Sequence, residues 1–152
     1  MEQTSYSEII ELVLAILKSY EIDNIFDKYD EDGVLTMLLP YFKFASGELS
    51  IRNSSINTDR DDELLIFENK LTDAQQLIFA KFVLIGYLTK DTCDILQLRI
   101  HLQDGDFKTH AVKNNLDAKL NLLTILKEEV GWNVNKIGYN ETNVWGRCRG
   151  KI

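Results

Sequence analysis

The sequence predicts a mainly α-helical fold. We read a small helical bundle over residues 1–142, with a polar insert loop that has room for a short β-ribbon, and an extended C-terminal arm over residues 143–152. Three observations carry this. Two segments open with a hydroxyl residue followed three positions later by Glu or Gln, the pattern of a helix capping box. Several long stretches repeat apolar residues at helical spacing. The last ten residues, NVWGRCRGKI, break sharply from the rest in charge.

Ser5-Tyr-Ser-Glu8 caps a first helix, with Ile9, Val13, Ile16 and Tyr20 as its stripe and Leu12 and Leu17 beside it. This helix is expected to stop near Glu21. Asn24 opens a short second turn through Phe26 and Tyr29, which the acidic string YDEDG ends. Val34 to Ala45 reads as a helix kinked at Pro40, because Leu35, Leu38, Leu39 and Phe42 share a face. Ser46 to Arg60 reads as a loop, with any ribbon placed around Leu49 to Ile56. The acids Asp59, Asp61, Asp62 and Glu63 read as solvated charge at a helix start. Thr72-Asp-Ala-Gln75 caps a helix that is apolar nearly all round from Leu77 to Leu88, as expected of a central element. Leu96 to Leu102 alternates like a strand, with Asp104-Gly105 as a hairpin turn, yet its apolar residues also fit a helix face. Spacing leaves both open. Val112, Leu116, Leu120, Leu123, Leu126 and Val130 form a final stripe that Gly131 is placed to stop.

The totals fit one domain with a real core: 152 residues, 45% hydrophobic and 27% charged. The polar start and the early Glu11 speak against a signal peptide or a membrane span. Cys93 and Cys148 read as reduced thiols of a protein made in a cytoplasm. The net charge of −7 does not suit tight wrapping by nucleic acid.

A search for chemistry yields little. If YDEDG were a calcium loop with Gly33 sixth, Lys28 and Leu39 would fall at ligand positions, where neither can serve. His101, Asp104, Asp106 and His110 are suitable metal-ligand types but match no metalloenzyme spacing. There is no phosphate-cradling glycine loop, dinucleotide fingerprint or nucleophile elbow. Cys93 sits in an apolar pattern that predicts a buried, inert thiol. We therefore expect no enzyme, no catalytic residue, no metal and no cofactor.

The last ten residues carry Arg147, Arg149 and Lys151 and no acid, so they hold +3 and the remainder −10. Fixing ten residues in place costs backbone entropy comparable to all that burying Val144, Trp145 and Ile152 returns. Such an arm is expected to order on a partner that supplies hydrogen bonds and acidic groups. An aromatic anchor among arginines is the composition of a binding hot spot. The expected partner-binding residues are Trp132, Tyr139, Val144, Trp145, Arg147, Arg149, Lys151 and Ile152.

The layout of a helix led by KLTDAQQLIFAKF, then Asp106-Phe107-Lys108-Thr109, then a long amphipathic helix resembles the head-to-tail adaptor (head-completion, or neck) proteins of tailed bacteriophages. The resemblance spans most of the chain. It implies a helical structural protein of the virion neck, synthesised in the host cytoplasm. It also implies a ring, commonly a dodecamer, under the portal protein, with a tail or stopper protein on its far side. Double-stranded DNA would pass through the lumen without specific binding, and no membrane would be involved. The family's arm docks on the portal, which would make Trp145, Arg147, Arg149 and Lys151 portal contacts, and Asp91 to Gln103 would be helical. The insert Gly47 to Asp59 departs from the family layout. Two other readings compete: a cytoplasmic helical protein-interaction or regulatory module, and a small metal enzyme built on His101, Asp104, Asp106 and His110.

Overall fold

The computed structural model describes residues 3–20, 22, 26–101 and 110–141, with side chains for all of these except 97–101, 110–114 and 137–141. The elements run β1 (Thr4–Ser5), α1 (Tyr6–Ser19), α2 (Glu31–Arg52), β2 (Arg60–Asp61), β3 (Ile66–Phe67), α3 (Asp73–His101) and α4 (His110–Glu141). The fold is thus mainly helical with a small three-stranded sheet.

Helix α1 begins where the capping pattern placed it. The Ser5 amide donates to Glu8 Oε1 at 3.2 Å, and the Glu8 amide donates back to Ser5 Oγ at 3.4 Å. Its buried face is Tyr6, Ile9, Val13 and Leu17. Tyr20, expected on that face, is the C-cap and is 38% exposed. The helix ends one residue before it, and the buried row runs Ile9, Val13 and Leu17 in i, i+4 steps.

Helix α2 corrects two expectations. The acidic string does not end a turn but starts the helix: Asp30 is the N-cap, its Oδ1 accepting from the Gly33 amide at 2.9 Å. Glu31 and Asp32 sit in the first turn, where the helix dipole favours acids. The helix passes through Pro40 and continues to Arg52, so Ser46 to Arg52 is helix and not loop. Ala45 and Leu49 extend the buried face of Val34, Leu38 and Phe42. Glu48 and Arg52 pair across one turn at 3.3 Å, and the Arg52 guanidinium lies 5.6 Å from the Phe82 ring centre. Half of the Gly47 to Asp59 insert is therefore this helix.

The ribbon exists, but not at Leu49 to Ile56. β3 is central, antiparallel to β1 (Thr4 opposite Phe67) and to β2 (Arg60 opposite Phe67). The Asp59 to Glu63 acids consequently belong to a ribbon and its turn, not to a helix start. Asp61 Oδ1 accepts from the amides of Glu63 at 2.9 Å and Leu64 at 3.0 Å, which shapes the turn.

Helix α3 is the centre. Thr72 and Gln75 form its capping box, and Ile78 through Ile85 is buried without interruption. It packs against α1, α2 and α4. At Gly86 a methyl group would meet Phe44 Cδ1 at 2.8 Å and Tyr41 Cδ1 at 3.0 Å, so this glycine sets the approach of α2. Helix α3 continues through His101, which removes the strand reading for Leu96 to His101. The Asp104-Gly105 turn lies outside the described residues. So does the far end of the Asp91 to Gln103 helix that the family resemblance implies.

Helix α4 runs antiparallel to α3, tied to it by Lys81–Glu129 at 2.7 Å and Lys119–Asp91 at 2.8 Å. It does not stop at Gly131 but continues to Glu141. No glycine takes a positive φ among the described residues, and a side chain at Gly131 would meet nothing within 4 Å. Leu116, Leu123, Leu126 and Val130 are buried as expected, but Leu120 is 37% exposed. The buried stripe instead takes in Leu122 and Val134.

Four aromatic rings join the pieces. Tyr6 of α1 stands 4.4 Å from Phe42 of α2 and 5.4 Å from Phe67 of the ribbon; Phe79 of α3 stands 5.5 Å from Phe42 and 4.9 Å from Phe67. Among the described residues no helix is long and apolar enough to cross a membrane.

Candidate partner-binding groove

The outer face of α1, the start of α2 and the ribbon turn enclose a groove of about 620 Å³. Its floor is apolar: Ile10 and Leu14 of α1, Phe26, Leu35 of α2, and Leu64 and Leu65 of the turn. These residues follow from helical geometry. Ile10 and Leu14 are one turn apart and lie beside the buried Ile9–Val13 row, Ile10 partly buried against the core and Leu14 exposed. Leu14 is 37% exposed and Leu64 67% exposed, so both offer apolar surface to an occupant of the groove.

The rim is acidic. Glu11, Asp27, Glu31 and Asp32 line it, and no basic residue lies among its described lining. The α2 start that supplies two of these carboxylates is the same N-cap turn that Asp30 closes. The helix dipole there stabilises the very acids that the groove displays.

The turn is held in an uncommon conformation. Leu65 has φ 56°, in the left-handed region that a bulky side chain rarely adopts. The Tyr6 amide donates to the Leu65 carbonyl at 2.9 Å, and the Tyr6 hydroxyl donates to Asp62 Oδ1 at 2.5 Å. Arg60 clamps the other side, donating to Asp62 Oδ1 at 2.9 Å and to the Ser46 hydroxyl. These bonds hold the Asp62 carboxyl below the usual carboxylate range, the Tyr6 hydrogen bond most of all. Burial, and then the Asp62 contact, push the Tyr6 hydroxyl well above its ordinary value.

Of the residues expected to bind a partner, Trp132 lies on α4 and is 81% exposed. Tyr139 is in the last turns of α4, and its side chain lies outside the described set. Val144, Trp145, Arg147, Arg149, Lys151 and Ile152 lie outside the described residues, as do Asp104 and Asp106. His101 ends α3 and His110 begins α4, with side chains outside the described set. Among the described residues no group of three His, Cys, Asp or Glu is placed to hold a metal ion. Cys93 is exposed, contrary to the buried thiol expected from its apolar pattern. Beyond the core, α3 turns it toward solvent, beside exposed Asp94 and Leu96.

Sequence reasoning missed the groove because its walls come from three separated segments. One signal was present: YDEDG places Glu31 and Asp32 where a capped helix would display them, if Asp30 is read as a cap. No protein family, curated protein or solved structure matches this chain.

Proposed function

We propose that the chain is a structural assembly subunit, a head-to-tail adaptor that forms a ring beneath a phage portal and links it to the tail or stopper. Its work is to hold other polypeptides, not to turn over a substrate. The observation that carries the reading is the surface. A well-packed helical body displays an apolar groove with a carboxylate rim, and an exposed tryptophan on the helix that leads to a basic, tryptophan-bearing terminus. Aromatic and arginine anchors against acidic pockets are the material of interfaces. The remainder of the chain carries −10, which suits a channel wall that phosphates pass without sticking. Repeating one modest contact around a ring makes a strong joint through effective concentration.

Electron microscopy of the chain mixed with the portal protein encoded beside it tests this. Rings seated on the portal are expected. Portal particles that never acquire this chain would refute the reading.

A further inference from the structure

We infer that the groove between α1, the α2 start and the ribbon turn receives the C-terminal segment Asn143–Ile152 of a second copy of this chain. The inference rests on the assembly reading and names the tail's partner.

Charge is the first argument. The described lining of the groove holds four carboxylates and no base, and the segment holds Arg147, Arg149 and Lys151 and no acid. Spacing is the second. Trp145, Arg147, Arg149 and Lys151 alternate with Val144, Gly146, Cys148 and Gly150. Laid out extended in the groove, the four would share one side, because side chains alternate at period two. The tryptophan would meet the Leu14–Leu64 floor while the cations meet the rim. A volume of 620 Å³ falls within the range that holds a large aromatic group and its neighbours.

Reach decides between a molecule's own groove and a neighbour's. On α3, Gln76 donates to Glu8 of α1 and Phe79 meets the ribbon's Phe67 edge to face, whereas Lys81 pairs with Glu129 of α4. Positions 76 and 81 point about 140° apart on a helix, so α1 and α4 pack on different flanks of α3. Helices set that far apart around a central one have axes roughly 15–19 Å apart. Trp145 is four residues past the end of α4 at Glu141 and reaches at most about 14 Å from it. That backbone reach is shorter than the separation, whereas a neighbour's groove sets no such limit, and the contact is assigned between copies. A contact between different surfaces of identical chains propagates head to tail and closes into a ring when its rotation allows.

The test uses three full-length chains in sedimentation velocity: the parent, a groove variant carrying Glu11→Lys and Glu31→Lys, and a tail variant carrying Trp145→Ala and Arg147→Glu. The substituted groove residues lie in its rim, so circular dichroism of each variant should match the parent. The parent should self-associate, more weakly as salt rises. Each variant alone should lose affinity, about tenfold or more for the groove and roughly thirtyfold or more for the tail. An equimolar mixture of the two should form a dimer, one intact groove holding one intact tail. A parent that stays monomeric at every concentration, variants that associate like the parent, or a mixture that stays monomeric would each overturn the inference. So would a monomeric parent whose Trp145 is shielded from quencher, since that tail is bound within its own chain. Rings on the portal formed by the groove variant would sink the inference and leave the adaptor reading intact. Self-association without portal binding would do the reverse.

Discussion

Tyr6 ties three parts of the chain together: its amide holds Leu65, its hydroxyl holds Asp62, and its ring packs on Phe42 and Phe67. Tyr6→Phe keeps the ring and removes the hydroxyl bond. We expect a loss of about 1 kcal/mol, read as a lower urea midpoint at constant slope. The pH dependence has a definite sign. Asp62 is more acidic folded than unfolded, so its contribution is complete above the ordinary carboxylate range near pH ~4 and is lost as pH falls below it. The Tyr6 hydroxyl is less acidic folded than unfolded, so its contribution is complete below pH 10.0 and is lost as pH rises. Melting temperature against pH should therefore flatten at both ends in Tyr6→Phe. Tyr41 and Tyr87, also raised by burial, should leave some alkaline slope in the variant. An acid limb identical to the parent's would show that the Tyr6–Asp62 bond does not act in solution.

At the scale of elements, two glycines make opposite predictions. Gly131 lies inside α4 with open space around it, so Gly131→Ala should stabilise by about 0.5–1 kcal/mol. A helix that stopped there on a left-handed glycine would instead be destabilised, so the thermal shift decides between the two. Gly86→Ala forces a methyl into Phe44 and Tyr41 and should cost about 1–3 kcal/mol. Lys81 is 9% exposed and bound to Glu129. Glu129→Ala strands that ammonium and should cost about 1–3 kcal/mol, whereas Lys81→Met should cost less. Equal losses in denaturant titrations would mean that the stranded charge finds water freely. The capping boxes at Ser5 and Thr72 and the central placement of α3 were legible because they rest on residues within one or two turns. The end of α2 and the course of α4 past Gly131 were not. Glycine and polar runs favour a stop locally, and burial of Leu49, and of Val134 beyond Gly131, overrides that preference. The ribbon was misplaced for the same reason: its strands are two residues each and are defined by partners far away in sequence.

For the whole molecule, removing Asn143–Ile152 should leave helical circular dichroism and the unfolding midpoint unchanged while abolishing self-association and portal binding. A melted fold would show that the segment belongs to the body. Arg147→Glu with Arg149→Glu should weaken association most at low salt and little at high salt; equal weakening at both would remove the ionic part of the contact. The basic, tryptophan-bearing character of the C-terminal segment is read from composition alone. The groove was not legible, because Ile10, Leu14, Leu35 and Leu64 come from three segments far apart in sequence. Only the tertiary packing reveals that Leu14 and Leu64 are exposed while Ile10 and Leu35 lie against the core.

Lys81 and Asp91 are ten residues apart on α3, as are Lys119 and Glu129 on α4, about 15 Å in each case. Half a revolution about an axis between the two helices exchanges one bond for the other. Because the two catches are equally spaced, sliding by a single turn opens both at once, so the pair has one alignment and no near neighbour. Yet each helix also carries the charge order of its mate, and salt bonds alone would accept two copies of either. What makes α3 choose α4 is the fit of Leu122, Leu126 and Val130 against it: electrostatics fixes the alignment, and shape fixes the identity.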